Sequence, residues 1–484
     1  MWILGVDIGT TSMKMGVFRV GAGPRACPGQ PQGVAPTDNL HPVRQFSQAY
    51  QINVYHDGLF ADIEQDKWKA AFVAGCRAMA EAIAQIDIIS LSGTTPGLTA
   101  MDKNGDALYP AILMLDQRSH QQARAIIDTV GLDHLLATTA NMPVAGGCSL
   151  AGILWLRDNA PEVFRQTHIF GHTNTYFSHW LTRREPPGRT TDQATGEYAI
   201  DPSSASLTGL YNTVRNDGTW NADLARTFGL SLDRLPQLVP AYQSVGAVRP
   251  ALARELGFAK QPQVLIGGND AVLAAYSVGV REPGAIVNVN GTCEITLVCL
   301  PQCLPSPHYN IRAHVLPDRW LTLHVMNAGG KALEWFKSVF CTEMTNEQFY
   351  DSFIPQALDV WLDRPSRASG SSDNPGVTYT PYLMGSRYSL DPLKAELLGL
   401  TQTTTREEIL AAIVRGLCQY QGNHLREIQR HVPLQTTIHL TGGAVSPALI
   451  RAKQKWLRLA DYVQEEDSSV KGAALLAQLY LQSL

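Results

Sequence analysis

The chain has no Cys-x-x-Cys pair, little net charge and no uninterrupted apolar run as long as a membrane span, and each shortfall closes off a class of function. Its eight cysteines are scattered singly, with Cys299 and Cys303 the closest two and no histidine grouping beside them. That spacing speaks against a disulfide scaffold and a zinc site, and leaves the closest pair as two small core or surface thiols. A formal charge of −4 over 484 residues is gathered in no one segment, so neither nucleic acid nor an anionic membrane is an expected partner. Apolar stretches such as Gln263 to Val280 are interrupted by polar residues, here Asn269 and Asp270. Met1 to Asp7 carry no basic leader and meet an acid early. We therefore expect no export signal, a cytoplasmic location and small-molecule partners.

The common phosphate loops are missing as well. The one Gly-Lys pair, Gly330-Lys331, is followed by Ala332 and lacks the upstream glycine of a P-loop. No Gly-x-Gly-x-x-Gly opens a helix after a strand, which disfavours a dinucleotide enzyme. A phosphate site has to come from hairpins.

What is present is a long chain rich in core material, 45% hydrophobic and 17% charged. Its length exceeds what one core organises, so two large domains are expected. Residues 3 to 20 alternate apolar positions (Ile3, Val6, Ile8, then Met13, Met15, Val17) around the turn Gly9-Thr10-Thr11-Ser12, which predicts a β-hairpin with a hydroxyl-rich tip. Ala285 to Cys299 repeats this around Gly291-Thr292-Cys293, and Ile88 to Thr95 is echoed by Thr437 to Ala444, each an apolar strand ending in hydroxyl and glycine. The echoes predict one half-plan used twice, joined near the Pro-containing stretch Leu235 to Pro250, so that residues 1–246 and 247–484 form two domains. Amphipathic helices are predicted over Asp66 to Ile86 and Arg406 to Ile428, and surface loops over Glu185 to Arg189 and Arg364 to Gly376. Strands alternating with helices argue α/β layering.

Two segments carry the chemistry. The turn Gly9 to Ser12 offers unobstructed backbone N–H groups and three hydroxyls, the donors a phosphate chain needs, and Asp7 just before it supplies the hard oxygen that suits magnesium. An ordinary hairpin with Asp capping its own turn fits the same residues. Leu265 to Asn269 is an apolar strand ending in Gly267-Gly268, and a helix begins near Ala271. Asp270 then reads as a helix N-cap, or as a carboxylate at the mouth of a cleft, the general base that phosphoryl transfer to an alcohol uses. We favour the second.

In the order and spacing of five motifs, the chain resembles the FGGY carbohydrate kinases over nearly its whole length. Leu4 to Lys14 matches the family's opening phosphate motif, Gly267 to Asp270 the region of its catalytic Asp, and Gly291-Thr292-Cys293 its second phosphate turn, with Cys in place of Ser. Gly442-Gly443-Ala444 matches the glycine turn against which adenosine packs, and Pro381 to Arg387 its Pro-Tyr-Leu-x-Gly-Glu-Arg stretch, with Ser386 in place of Glu. The resemblance implies two actin-like ATPase domains of the ribonuclease H-like kind with a cleft between them. It implies ATP and Mg2+ as cofactors, and a homodimer, since kinases of this kind are often dimers. Asp7, Gly9, Thr10, Thr11, Lys14, Gly291, Thr292, Gly442, Gly443 and Ala444 would hold the nucleotide, Asp7 and Asp270 the metal, and Asp270 would be the base.

For the sugar, Thr95 and Pro96 lie where xylulose kinases show Met-His, while Asp116 and Arg118 keep the Asp and Arg of Trp-Asn-Asp-x-Arg, and Asn269 adjoins the base. Asp116 and Arg118 would contact the acceptor or, alternatively, form a surface ion pair. Asp201 to Ser206 resembles a segment near the sugar and also reads as a turn. The resemblance implies phosphorylation of a terminal hydroxyl of a ketose or polyol, xylulose first, with ribulose, gluconate or erythritol as alternatives. The substitutions at Thr95, Pro96, Cys293, Ser386 and Arg415 motivate another alternative, a non-catalytic sugar or ATP sensor.

Overall fold

The computed structural model describes residues 1–21, 40–183, 198–362, 376–443, 446–457, 461–465 and 469–484. The loops expected over 185–189 and 364–376 lie outside these apart from Gly376, as does Ala444.

Two six-stranded sheets carry the fold. The first contains β1 (Trp2–Ile8), β2 (Ser12–Val20), β3 (Leu40–Ala49), β4 (Ile88–Gly93), β5 (Ser244–Ala247) and β6 (Gln263–Asn269), in the order β5-β6-β4-β1-β2-β3. The second contains β7 (Ile286–Asn290), β8 (Glu294–Leu300), β9 (Asn310–Ala313), β10 (Trp320–Met326), β11 (Thr437–Thr441) and β12 (Asp461–Gln464), in the order β9-β10-β8-β7-β11-β12.

The predicted hairpins are β1-β2 and β7-β8, both antiparallel. The predicted echo strands sit in equivalent places, β4 parallel to β1 and β11 parallel to β7. The repeated half-plan is thus a hairpin whose first strand pairs with a later parallel strand. Parallel strands buried on both faces read as apolar runs, and β4 and β6 do.

The join falls later than the sequence suggested. A boundary between residues 246 and 247 would cut β5, which pairs with β6 inside the first sheet. The first lobe therefore runs to the end of β6 at Asn269, and the stretch from Leu235 to Pro250 contains sheet as well as turns.

Between the sheets lie α3 (Asp270–Ser277) and α6 (Ser469–Ser483), which pack on one another. One continuous apolar cluster joins Ile3, Ile88 and Leu265 of the first sheet to Val272 and Tyr276 of α3, Leu475 and Leu476 of α6, and Val287, Leu297 and Val325 of the second. On the far side of the first sheet, α1 (Gln65–Ala78) and α2 (Thr173–Thr182) bury Trp68, Phe72 and Phe177 in a second cluster. Trp68 is a core residue, as a lone aromatic on a helix usually is. In the second lobe α4 (Gly330–Phe340) and α5 (Arg406–Gln429) enclose another core. Helix α5 starts with a capping box, Thr405 with Glu408, and buries Ile409, Ile413, Leu417 and Leu425. The apolar spacing thus gave the helix its length and the Thr-x-x-Glu its start. No described helix is long and apolar enough to cross a membrane.

Strand β9 is an edge of the second sheet, and the first lobe covers it. The Asn141 side chain donates to the Ile311 carbonyl and accepts from the Ile311 N–H, both at 3.0 Å, so its amide stands in for a neighbouring peptide. The Ala313 N–H donates to Ser206 Oγ at 3.0 Å.

Gly267 shows how tightly the first sheet is drawn around its active end. Its φ is +71°, and a Cβ there would come within 1.5 Å of the Leu91 carbonyl oxygen, where the β6-β4 register shifts. Gly267→Ala should cost about 3 kcal/mol or more. Gly229→Ala, also at positive φ but with nothing nearby, should cost only about 1 kcal/mol. Melting temperatures of the two variants check this, and equal shifts would refute the crowding argument.

Candidate active site

Strands β6, β4 and β1 end together, and their carboxyl ends bring most of the first-lobe candidates to one place. Asp7 is the penultimate residue of β1, buried, and its Oδ1 accepts from Ser92 Oγ of β4 at 2.8 Å. The turn that follows is closed by the Gly9 N–H to the Ser12 carbonyl at 2.9 Å. It is braced from outside by Tyr50, whose hydroxyl donates to the Gly9 carbonyl at 2.5 Å. Thr10 Oγ1 lies 3.0 Å from Thr94 Oγ1, which ties the turn to the end of β4. Thr11 and Lys14 are exposed, and Lys14 stands directly across from Asp7 in the ladder, where opposite side chains share a face.

Beyond β4, Thr95 and Pro96 are joined by a cis peptide and are buried. The Thr95 hydroxyl accepts from the Asn269 side-chain amide. Helix α2 begins beneath them, with Thr173 Oγ1 donating to the Thr94 carbonyl at 2.8 Å. Asn174 donates to the carbonyls of Ile266 and Gly268 at 3.1 and 3.2 Å. These bonds satisfy carbonyls that the register shift leaves without a ladder partner.

The expected cap moves by one residue. Asn269, not Asp270, is the N-cap of α3, its side chain accepting from the Val272 N–H at 3.1 Å. Asn269 is thereby a structural cap and a link to Thr95. Its own N–H donates to Ser203 Oγ at 3.0 Å, and Ser203 is held by Asp201, the cap of the short helix Pro202–Ala205. Asp201 to Ser206 is a capped short helix that holds the backbone of Asn269, next to Asp270.

Relieved of capping, Asp270 is half-buried at the first position of α3. Its Oδ1 accepts from the Ala271 N–H at 2.8 Å, and Oδ2 has no hydrogen-bond partner among the described residues. Burial first, and the Asp7 carboxylate second, push its pKa from 3.8 up to about 7. Arg312 of β9, in the other lobe, acts the opposite way and helps hold the charge. Arg312 is not legible in the sequence, being one charge in a short strand whose relation to Asp270 is non-local. Ser92 was visible in the echo strand, but only the pairing of β1 with β4 shows that it meets Asp7.

In the second lobe, the Gly291 N–H donates to the Cys293 carbonyl at 3.0 Å. The start of α4 closes over this turn, Gly330 N–H to Gly291 at 2.9 Å and Lys331 N–H to Thr292 at 3.1 Å. The Thr292 side chain stays exposed. Gly442 follows β11 with φ +94°, and a Cβ would lie 2.1 Å from the Asn290 carbonyl oxygen, so the two glycine turns are immediate neighbours. Gly443 has open space where a side chain would be.

Asp116 and Arg118 stand apart from this group. They form a buried pair, not a surface one, with Arg118 Nε 2.8 Å from Asp116 and Nη2 2.7 Å from Asp62. Asp116 also accepts from the N–H groups of Ala61 and Arg118, and Arg118 Nη1 meets the Tyr109 hydroxyl. Phe60 and Trp155 flank the guanidinium. As placed, the pair braces its own loop and offers a ligand no unpaired atom.

Comparison with known proteins bears on the chain as a whole. The family models described as FGGY family of carbohydrate kinases, N-terminal domain and C-terminal domain, match residues 44–277 and 286–479. They meet just beyond α3. A xylulose kinase of Bacillus subtilis is 26% identical over 98% of this chain and 87% of its own length. A gluconokinase of the same organism is 24% identical over 86% of this chain and 74% of its own. The structure of xylulose kinase from Rhodospirillum rubrum superposes with a TM-score of 0.82 at 20% identity, covering 99% of this chain and 90% of that one.

The raised Asp270 pKa has a thermodynamic consequence. Stability gained by keeping this proton is fully present below 3.8 and is lost as pH rises through about 7. Asp270→Asn cannot ionise, so its melting temperature relative to the parent should rise between pH 4 and pH 8 in metal-free buffer. A difference that stays constant across this range would contradict the placement of the two carboxylates.

Proposed function

This chain belongs to the FGGY family of carbohydrate kinases, and on that footing we propose that it moves the γ-phosphoryl group of ATP to a terminal hydroxyl of a small ketose or polyol, xylulose first, with Asp270 as base. The observation that carries the reading is the open Oδ2 of Asp270, on a carboxylate whose pKa is pushed up to about 7 beside Asp7. A base poised near neutral pH can accept the hydroxyl proton as the phosphoryl group arrives.

The residues suit magnesium-ATP. Two neighbouring carboxylates repel, and a cation between them would relieve that repulsion. Magnesium is usually held by one or two carboxylates together with phosphate and water, a set to which Asp7 and Asp270 would contribute. When bound, magnesium-ATP supplies the phosphoryl group and the cation that spreads its charge. Thr10, Lys14 and the exposed Thr292 would meet the phosphates, and the open space at Gly443 would receive the nucleoside. Ser92 fixes the Asp7 carboxylate, and Asn269, through its cap and its bond to Thr95, fixes the direction of Asp270. Such transfer needs little covalent help, so positioning is the main task of these residues.

Relatives named xylulose kinase cover nearly the whole chain and motivate xylulose as the first acceptor to try. The sensor alternative leaves the placed base without a purpose. ATP turnover against xylulose, ribulose, erythritol and gluconate tests the proposal, and ADP formation should depend on the acceptor, with xylulose leading the neutral ones. Asp270→Ala should lower kcat by about a hundredfold or more. Full activity in that variant would remove Asp270 from the mechanism, and binding of ATP and sugar without ADP formation would favour the sensor.

A further inference from the structure

A guanidinium taken out of water without a counter-anion is costly, so a fold that keeps one has a use for its charge. Arg312, in the covered edge strand β9, is 3% exposed. It forms no ion pair among the described residues, Asp270 included. Its hydrogen bonds, to Asn141 Oδ1 at 2.7 Å and the Ile311 carbonyl at 3.0 Å, both use Nη1 and leave Nε and Nη2 without partners. Burial first, and the neighbouring Arg387 charge, lower its pKa to about 10, against the opposing pull of Tyr388 and Asp270.

A second guanidinium is also undersupplied. Arg387 donates from Nε to Asn327 Oδ1 at 2.9 Å, and from Nη1 to the Met114 thioether at 3.4 Å, a weak acceptor for a cation. It too forms no ion pair among the described residues. Both arginines line one cavity of about 440 Å³ between the lobes. Asn310, on the same wall, makes no side-chain hydrogen bond among the described residues, its oxygen included, so its amide N–H groups are free to donate. The carboxylate on this wall, Asp391, is 80% exposed at the rim and turned to Arg124 at 3.5 Å. Positive charge in this cavity is therefore unbalanced.

We propose that the interlobe cavity is an anion site, in which Arg312 and Arg387 together take a carboxylate or phosphate group of a small metabolite. Two forked guanidinium groups from the second lobe suit the paired oxygens of either anion. The anion site itself does not depend on the kinase reading; only the first of its two sources rests on it. The anion has two sources. One is the far end of a sugar acid whose hydroxyl lies at Asp270, since Arg312 and Asp270 act on one another electrostatically. The other is a free anion bound beside a neutral sugar.

Calorimetric titration of the full chain at low ionic strength, with gluconate and inorganic phosphate as probes, tests the site. At least one probe should bind one per chain, and Arg312→Met and Arg387→Met should each weaken it tenfold or more, while Arg226→Met, an exposed arginine outside the cavity, leaves binding in place. Phosphorylation of gluconate, with KM raised about tenfold by either arginine variant, assigns the anion to the acceptor. Phosphate binding without turnover of gluconate assigns it to a separate ligand. Failure of both probes to bind the folded parent overturns the proposal, as does unchanged binding in the arginine variants. Arg387 is half-buried and can be replaced with less risk to folding, so its variant decides the matter if Arg312→Met does not fold. Absence of ATP turnover with every acceptor would sink the kinase reading and leave the titrations standing.

Discussion

Asp7, near the end of β1, and Asp270, just past the end of β6, belong to one parallel trio with only β4 between them, and the burial of these two carboxylates beside one another, with the repulsion it brings, is the constraint around which the centre of this molecule is arranged. The fold holds the two acids near one another against that repulsion by fixing everything beside them. Ser92 fixes one acid, Asn269 and Ser203 fix the backbone of the other, and Asn174 takes up the carbonyls left over where the register slips. An unoccupied pair of this kind favours a proton; a cation would take its place. That competition links the chemistry to pH and metal without any further device.

The first lobe supplies this acidic end, and the second answers with charge of the opposite sign. Arg312 reaches the field of Asp270 from a strand that belongs to the other sheet. Helix α3, which begins at Asp270, is also one of the two helices packed between the sheets. Asp270 and the seam between lobes are therefore parts of one element, so a change in how the sheets pack is felt at that carboxylate through the helix itself.

Much of this was legible in the chain because it is local. The hairpins announce themselves through period-two alternation around glycine and hydroxyl turns, and their repeat foretold that β4 and β11 would occupy equivalent places. Helix α5 was readable almost to the residue from its apolar spacing alone, and its capping box agrees with that start. What depended on distant partners was not readable. Proline-containing sequence near residue 246 suggested a linker, yet β5 finds its partner in β6. Asp116 and Arg118 were recognisable as a pair, but burial, supplied by Asp62, Phe60 and Trp155, is invisible in their spacing. Asp270 looked like a cap because Asp favours that position, and the preceding Asn269 takes the role with equal competence.

The edge of β9 limits how these lobes can part. Its outward peptide groups are satisfied by Asn141 and Ser206, side chains carried on the opposite lobe. Separation at that point would strip an exposed β-edge of its partners and leave bare amides for water or for another chain to claim. A gaping form would thus be both less stable and more adhesive, which favours modest breathing over wide excursions.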